Sequence, residues 1–295
     1  MIQKKSDLNN KNFITASNIT KDLGDAHIGL RTMKKIMLAA LLGLSAHLSY
    51  AAEADQSAEF AQIEKMVEAH NYKAAYDALS KLANTGNPQA IYNLGYLTQT
   101  GQGTAKDEKK AIQLYQQAAT KGYPVAHFVL GKNYAGGTLG LPQDLAKAKQ
   151  HLKTASDLKF DDATVDYAVL LFSESKPESD KEALARLNPL IQKGHYQAIH
   201  AKALYDISTG FKTKQEAPIQ KGLKSIQELA GKGYIPALMA VANMLTNGNL
   251  VEQNLPEARK IFAELSKSNV PYAKESLAEV DKMLAEQKKA PAKKS

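Results

Sequence analysis

Apolar and small residues recur at i, i+4 and i+8 in six separate segments of the chain. They are Ala75, Leu79 and Ala83; Ala111, Tyr115 and Ala119; Ala148, Leu152 and Ser156; Ala183, Leu187 and Ile191; Gly222, Ile226 and Ala230; and Ala258, Phe262 and Ser266. That spacing puts each triplet on one face of a helix, and the face has to be buried. Four residues before five of these triplets stand Asn71, Asp107, Asp144, Ser179 and Asn254. Their side chains can accept from an orphaned amide in a first helical turn. Ser179 with Glu182 also matches a capping box. The sixth segment has Pro218 in that place and should begin less firmly. Each helix should close three residues after its triplet, at Gly86, Gly122, Lys159, Gly194, Gly233 or Asn269, where the left-handed conformation is needed. Lys159 is the poorest fit of the six.

A second set of positions alternates with the first. Ala90, Ala126, Ala163, Ala198, Ala237 and Ala273 recur every 35–39 residues, each four places after a helix stop. Five residues further on come Gly95, Gly131, Ala168, Ala203, Ala242 and Ala278, small enough for two helices to approach closely. Leu94, Leu130, Tyr167 and Val241 precede them as core positions. The interval from each cap position to the next joint alanine is constant, so all length variation falls in the turn between the first and second helix of a unit. The pattern predicts an all-α, right-handed α/α solenoid of tandem helix-turn-helix repeats over residues 52–285, with about six helix pairs and no strands.

The unit resembles the Sel-one-like repeat, a relative of the tetratricopeptide repeat. The resemblance is best over Ala90–Tyr123: Leu94–Gly95, Gly101-x-Gly103, Asp107, Lys110–Ala111, Tyr115, Ala118–Ala119 and Gly122. Residues 126–159 match through Gly136–Gly137, Asp144 and Ala148, whereas 163–194 and 198–233 lack the glycine turn and keep only the register. The resemblance implies a tetratricopeptide-like scaffold that binds other proteins, often in exported or envelope complexes. Cysteine-rich relatives imply the alternative, a protein that binds or hydrolyses cell-wall glycan or β-lactam.

Charge narrows the field. The formal net charge is +8, but residues 1–51 and the lysines at 288, 289, 293 and 294 account for it, leaving the body near neutral. A broad phosphate-binding face is therefore not implied, and nucleic acid is not an expected partner. Residues 33–51, MKKIMLAALLGLSAHLSYA, have the layout of a secretory signal peptide: two lysines, an apolar run and a small–x–small site at Ser49 to Ala51. Cleavage is expected after Ala51, giving a periplasmic or secreted protein with no stable membrane anchor, because the run is short for a span. Residues 1–32 read either as an upstream extension with Met33 the true start, or as an unusually long leader. Residues 286–295, EQKKAPAKKS, read as a disordered tail. The chain has no cysteine, so neither lipidation at the cleavage point nor disulfides can contribute.

Candidate chemistry is sparse. Ser156–Lys159 and Ser173–Lys176 match Ser-x-x-Lys, but the Lys-Thr-Gly and Ser-Asp-Asn companions are missing and Ser156 sits at a core position of the repeat. The seven histidines show no ligand spacing, and Gly101-Gln-Gly103 lacks the strand and the Gly-Lys-Ser/Thr of a phosphate loop. No catalytic, cofactor or metal site is expected, and the chain is not read as an enzyme. The expected binding surface lies on the first helices of the two best-kept units. Tyr92, Tyr96 and Phe128 would be aromatic anchors there, with Gln99 and Lys132 as polar contacts around them.

Overall fold

The computed structural model describes residues 58–289, and every regular element among them is an α-helix. In chain order these are α1 (Ala58–Glu68), α2 (Tyr72–Asn84), α3 (Pro88–Thr100), α4 (Glu108–Thr120), α5 (Pro124–Gly136), α6 (Leu145–Asp157), α7 (Asp161–Ser173), α8 (Pro177–Gln192), α9 (Tyr196–Thr213), α10 (Glu216–Gly231), α11 (Ile235–Asn247), α12 (Leu255–Lys267) and α13 (Ala273–Lys289). The signal-peptide reading, the segment upstream of it and residues 290–295 of the tail lie outside the described residues. The expected end of the array at 285 falls inside α13, which runs on to Lys289. The fold is an all-α helical-repeat solenoid. Among the described residues no helix is long and apolar enough to cross a membrane.

Caps start most second helices where the sequence places them. Asp107 and Asp144 accept from the amides of Lys110 at 2.8 Å and Lys147 at 2.9 Å. Asn71 and Asn254 serve α2 and α12 in the same way. α8 departs from this plan. Its first residue is Pro177, whose fixed φ suits the first helical position, so Lys176 occupies the cap place without a side-chain bond. Ser179 then lies inside the first turn, buried, and donates to Glu174 at 2.6 Å instead of forming the expected capping box. α10 has no side-chain cap, as Pro218 suggested.

The helix stops are left-handed at all six expected places, including Lys159 at φ +65° and Asn269 at φ +53°. The joint alanines are fully buried, and so are Leu79, Tyr115, Leu152, Leu187, Ile226 and Phe262 of the second-helix faces. The glycines at the close approaches are sterically required. A Cβ on Gly95 would lie 2.9 Å from the Tyr115 ring, and one on Gly131 would lie 2.7 Å from Leu152 Cγ. Ala278 breaks the rule and is exposed, because no described helix follows α13; that helix is buried at Ala273 and Val280 instead.

The chain divides into two compact units, one ending at Ala198 and one starting at Ile199. In the first, each helix from α1 to α8 packs against its neighbours in sequence. In the second, α10 to α13 do the same, and Gly222 of α10 sits against Ile207 and the Ala203 carbonyl of α9.

Candidate functional site

The first helices expose a row of side chains, and burial sorts the expected site residues within it. Position two past the joint alanine points inward in α3 and α7, where Tyr92 is 2% and Val165 6% exposed. Position six points outward: Tyr96 is half-buried, while Lys132 and Val169 lie open to solvent. Tyr92 is therefore core and not a surface anchor. Its ring lies 5.3 Å from that of Tyr115 and 5.4 Å from that of Tyr123, so the second helix and the next joint close over it. Burial pushes its phenol well above the usual range, with the neighbouring tyrosines adding to the shift.

The other expected residues stay at or near the surface. Tyr96 packs one side against the core of the first helices. Gln99 is half-buried and accepts from the Tyr115 hydroxyl at 2.6 Å, which orients its amide. Phe128 is half-buried and meets Phe160 edge to face, with ring centroids 5.1 Å apart. Lys132 reaches over Phe128, its Nζ 5.8 Å from the ring centroid, and pairs with Asp166 of α7 at 3.0 Å. Phe128, Lys132 and Asp166 thus form one patch across α5 and α7, offering an aromatic edge and an exposed cation with its counter-ion. Asp166 and Phe160 were not legible in the sequence as partners of this row. Each lies more than 30 residues from the side chain it meets, and repeat spacing does not say which side chains bridge two units. In the second unit, His200 and Met239 are half-buried at position two, while Leu204 and Asn243 are exposed at position six.

The Ser-x-x-Lys match at 156–159 is structural. Ser156 is buried, its hydroxyl 2.9 Å from that of Thr164, and it accepts from Arg186 at 2.9 Å. Arg186 also bonds Asp157 at 2.8 Å and Glu182 at 3.0 Å and stacks over Tyr167. The group staples α6, α7 and α8 together. Burial, with the Glu182 carboxylate beside it, pushes the Tyr167 phenol up to about 12. Among the described residues no three histidine, aspartate or glutamate side chains converge as a metal site would require.

Comparison with known proteins agrees with this architecture. The model of the Sel1 repeat matches residues 88–123, 124–160 and 235–269, which are the helix pairs α3–α4, α5–α6 and α11–α12. A crystal structure of a Sel1 repeat protein from Oxalobacter formigenes superposes with a TM-score of 0.59 at 22% identity, covering 75% of this chain and 87% of that one. A protective antigen of uropathogenic Escherichia coli strains, displaying an SLR fold, aligns at 19% identity over 71% of this chain and 52% of its own, with a TM-score of 0.43. In sequence, an uncharacterized protein of Neisseria meningitidis serogroup B is 29% identical over 147 residues. That stretch is 46% of this chain but only 31% of the relative, so the chain spans about a third of that relative's length. Three of the helix pairs in this chain are thus Sel1 repeats, and its fold is that of a solved Sel1 repeat protein.

Proposed function

We propose that the protein is a non-catalytic scaffold of the bacterial periplasm or cell envelope that captures another protein on its first-helix row. Sel1 repeats commonly serve as protein-interaction scaffolds, and the stacked helix pairs support that role here. The observation that carries the assignment to this row is the cluster of Phe128, Lys132 and Asp166, with Tyr96 and Val169 reaching the surface at the same register of other first helices. It places aromatic area beside a cation whose geometry Asp166 fixes. Half-buried aromatic rings held by neighbours lose little side-chain freedom on binding, which suits them to act as interface anchors. Export is part of the proposal and follows from the signal-peptide reading; N-terminal sequencing of the protein from cells should begin at Ala52.

The test is capture of envelope proteins by immobilised protein, with Tyr96→Ala/Phe128→Ala/Lys132→Ala compared to wild type. Helical circular dichroism and melting are followed in parallel. Loss of capture with unchanged helicity and a melting temperature within a few degrees supports the row. Capture that survives the triple substitution in a folded protein refutes it.

A further inference from the structure

The second repeat carries two histidines that no feature of the sequence pairs. His127 on α5 and His151 on α6 face each other with Nδ1 atoms 3.0 Å apart and ring centroids separated by 5.2 Å. Both rings are half-buried. His127 follows its joint alanine by one residue, and His151 follows Ala148 by three. The same places are held by Ile91 and Leu114 in the preceding repeat, and by Leu238 and Ile261 in the repeat of α11 and α12. The repeat of α7 and α8 has Thr164 and Arg186 there, so the slot takes an aliphatic pair in some repeats and a polar one in others; here it holds two imidazoles.

Between two nitrogens 3.0 Å apart there is room for one hydrogen. One ring therefore donates through an Nδ1–H, and the other carries its hydrogen on Nε2 and accepts on its Nδ1 lone pair. The first added proton can enter at Nε2 of the donor ring, leaving that bond in place and charge-assisted. A second proton has only Nδ1 of the acceptor ring to go to, where it meets the hydrogen already there. The surroundings oppose this second charge as well. Lys147 of α6 acts on His151 with the same sign, its counter-ion Asp144 lies 3.5 Å from the lysine, and α5 contributes the Tyr134 ring stacked on His151 at 5.7 Å. The Ala119 carbonyl at the end of α4 works the other way, favouring the charged form of His127. Burial lowers the proton affinity of both rings, and each like charge nearby lowers that of His151 further.

We propose that His127 and His151 form an acid-released latch between the two helices of the second repeat, closed in the neutral and singly protonated pair and opened by the second proton. The latch rests on the side-chain geometry alone and is independent of the binding role proposed above. Both groups hold protons less tightly when folded than when unfolded. Their contribution is therefore complete above the unfolded imidazole value of about 6.5 and is lost as pH falls through the folded values.

Two measurements on the full chain test this. The first follows the ring nitrogens of the two histidines by NMR as pH is lowered. Two coupled steps are expected, one ring taking up its proton before the other, with the helix amides around the pair broadening or shifting in the second step only. Two independent titrations at the ordinary imidazole value overturn the proposal. The second compares melting temperature between pH 7.5 and 4.5 for wild type, His151→Asn and His127→Ile/His151→Leu. The double variant installs the aliphatic pair of the preceding repeat, Ile91 and Leu114. Wild type should lose about 4 °C or more beyond the loss of either variant across that range. Parallel pH profiles refute the latch. Adding zinc at pH 7.5 separates a different role for the same rings: stabilisation of wild type but of neither variant would assign the pair as metal ligands and overturn the latch.

Discussion

Gly131 offers a direct measure of how tightly two helices of one unit are packed. A methyl group built there lies 2.7 Å from Leu152 Cγ, 3.0 Å from its Cδ2 and 3.3 Å from the Ala148 carbonyl oxygen. Leu152 is 2% exposed and cannot swing into solvent, and the carbonyl belongs to a helix. Overpacking of this kind costs about 1–3 kcal/mol. Against it stands the helix-propensity gain of alanine over glycine, about 1 kcal/mol. Because neither neighbour can yield, the steric cost wins, and Gly131→Ala should lower stability by about 1 kcal/mol or more, roughly 2–4 °C in melting temperature for a chain of this size. Leu152→Ala by itself should cost about 2–5 kcal/mol by opening a cavity. In that background the new methyl has room, so adding Gly131→Ala should now stabilise, and the sign of the substitution reverses. Thermal or urea melts of the four proteins read the coupling directly. A Gly131→Ala protein that melts higher than wild type, or shifts equally in both backgrounds, would falsify the close approach assigned to these helices.

Three further outcomes follow from particular residues. Tyr92→Ala should cost about 3–5 kcal/mol while Tyr96→Ala costs far less, because only the first ring is enclosed; equal losses in a melt would show that the row is core throughout. Lys159→Gly should be neutral to mildly stabilising, by up to about 1 kcal/mol, since glycine relieves a left-handed φ of +65° but frees the unfolded chain; a clear loss of stability would mean that the lysine side chain holds the joint. Arg186→Met should cost about 1–3 kcal/mol by removing its charge-assisted bonds to Ser156, Asp157 and Glu182, and should weaken the acid response of Asp157. Burial raises that carboxyl, but hydrogen bonds from Lys153 and Arg186 outweigh it and hold it below its usual value. Its contribution is thus full above about pH 4 and lost below it, and the difference between wild type and Arg186→Met should shrink on acidification through that range.

The sequence by itself determined the repeat. Helix starts, left-handed stops and small close-approach positions are local or periodic requirements, and a cap, a stop or a Gly95 is dictated by the few residues around it and by the spacing of the next unit. That is why the caps at Asn71, Asp107, Asp144 and Asn254, and all six stops, stand where the pattern places them. Where a stronger local signal competed, the pattern lost: Pro177 began α8 early and drew Ser179 inside it. Tertiary structure decided everything that depends on which side chains of different units meet. Tyr92 and Tyr96 are one turn apart and of one residue type, yet only packing against Tyr115 and Tyr123 makes the first core and leaves the second at the surface. The pairing of Lys132 with Asp166, the Arg186 staple and the facing imidazoles of His127 and His151 join residues 24–34 positions apart. The repeat period brings their helices together. It does not say which rotamers turn toward the seam, because that follows from the volumes and hydrogen-bonding needs of both helices at once.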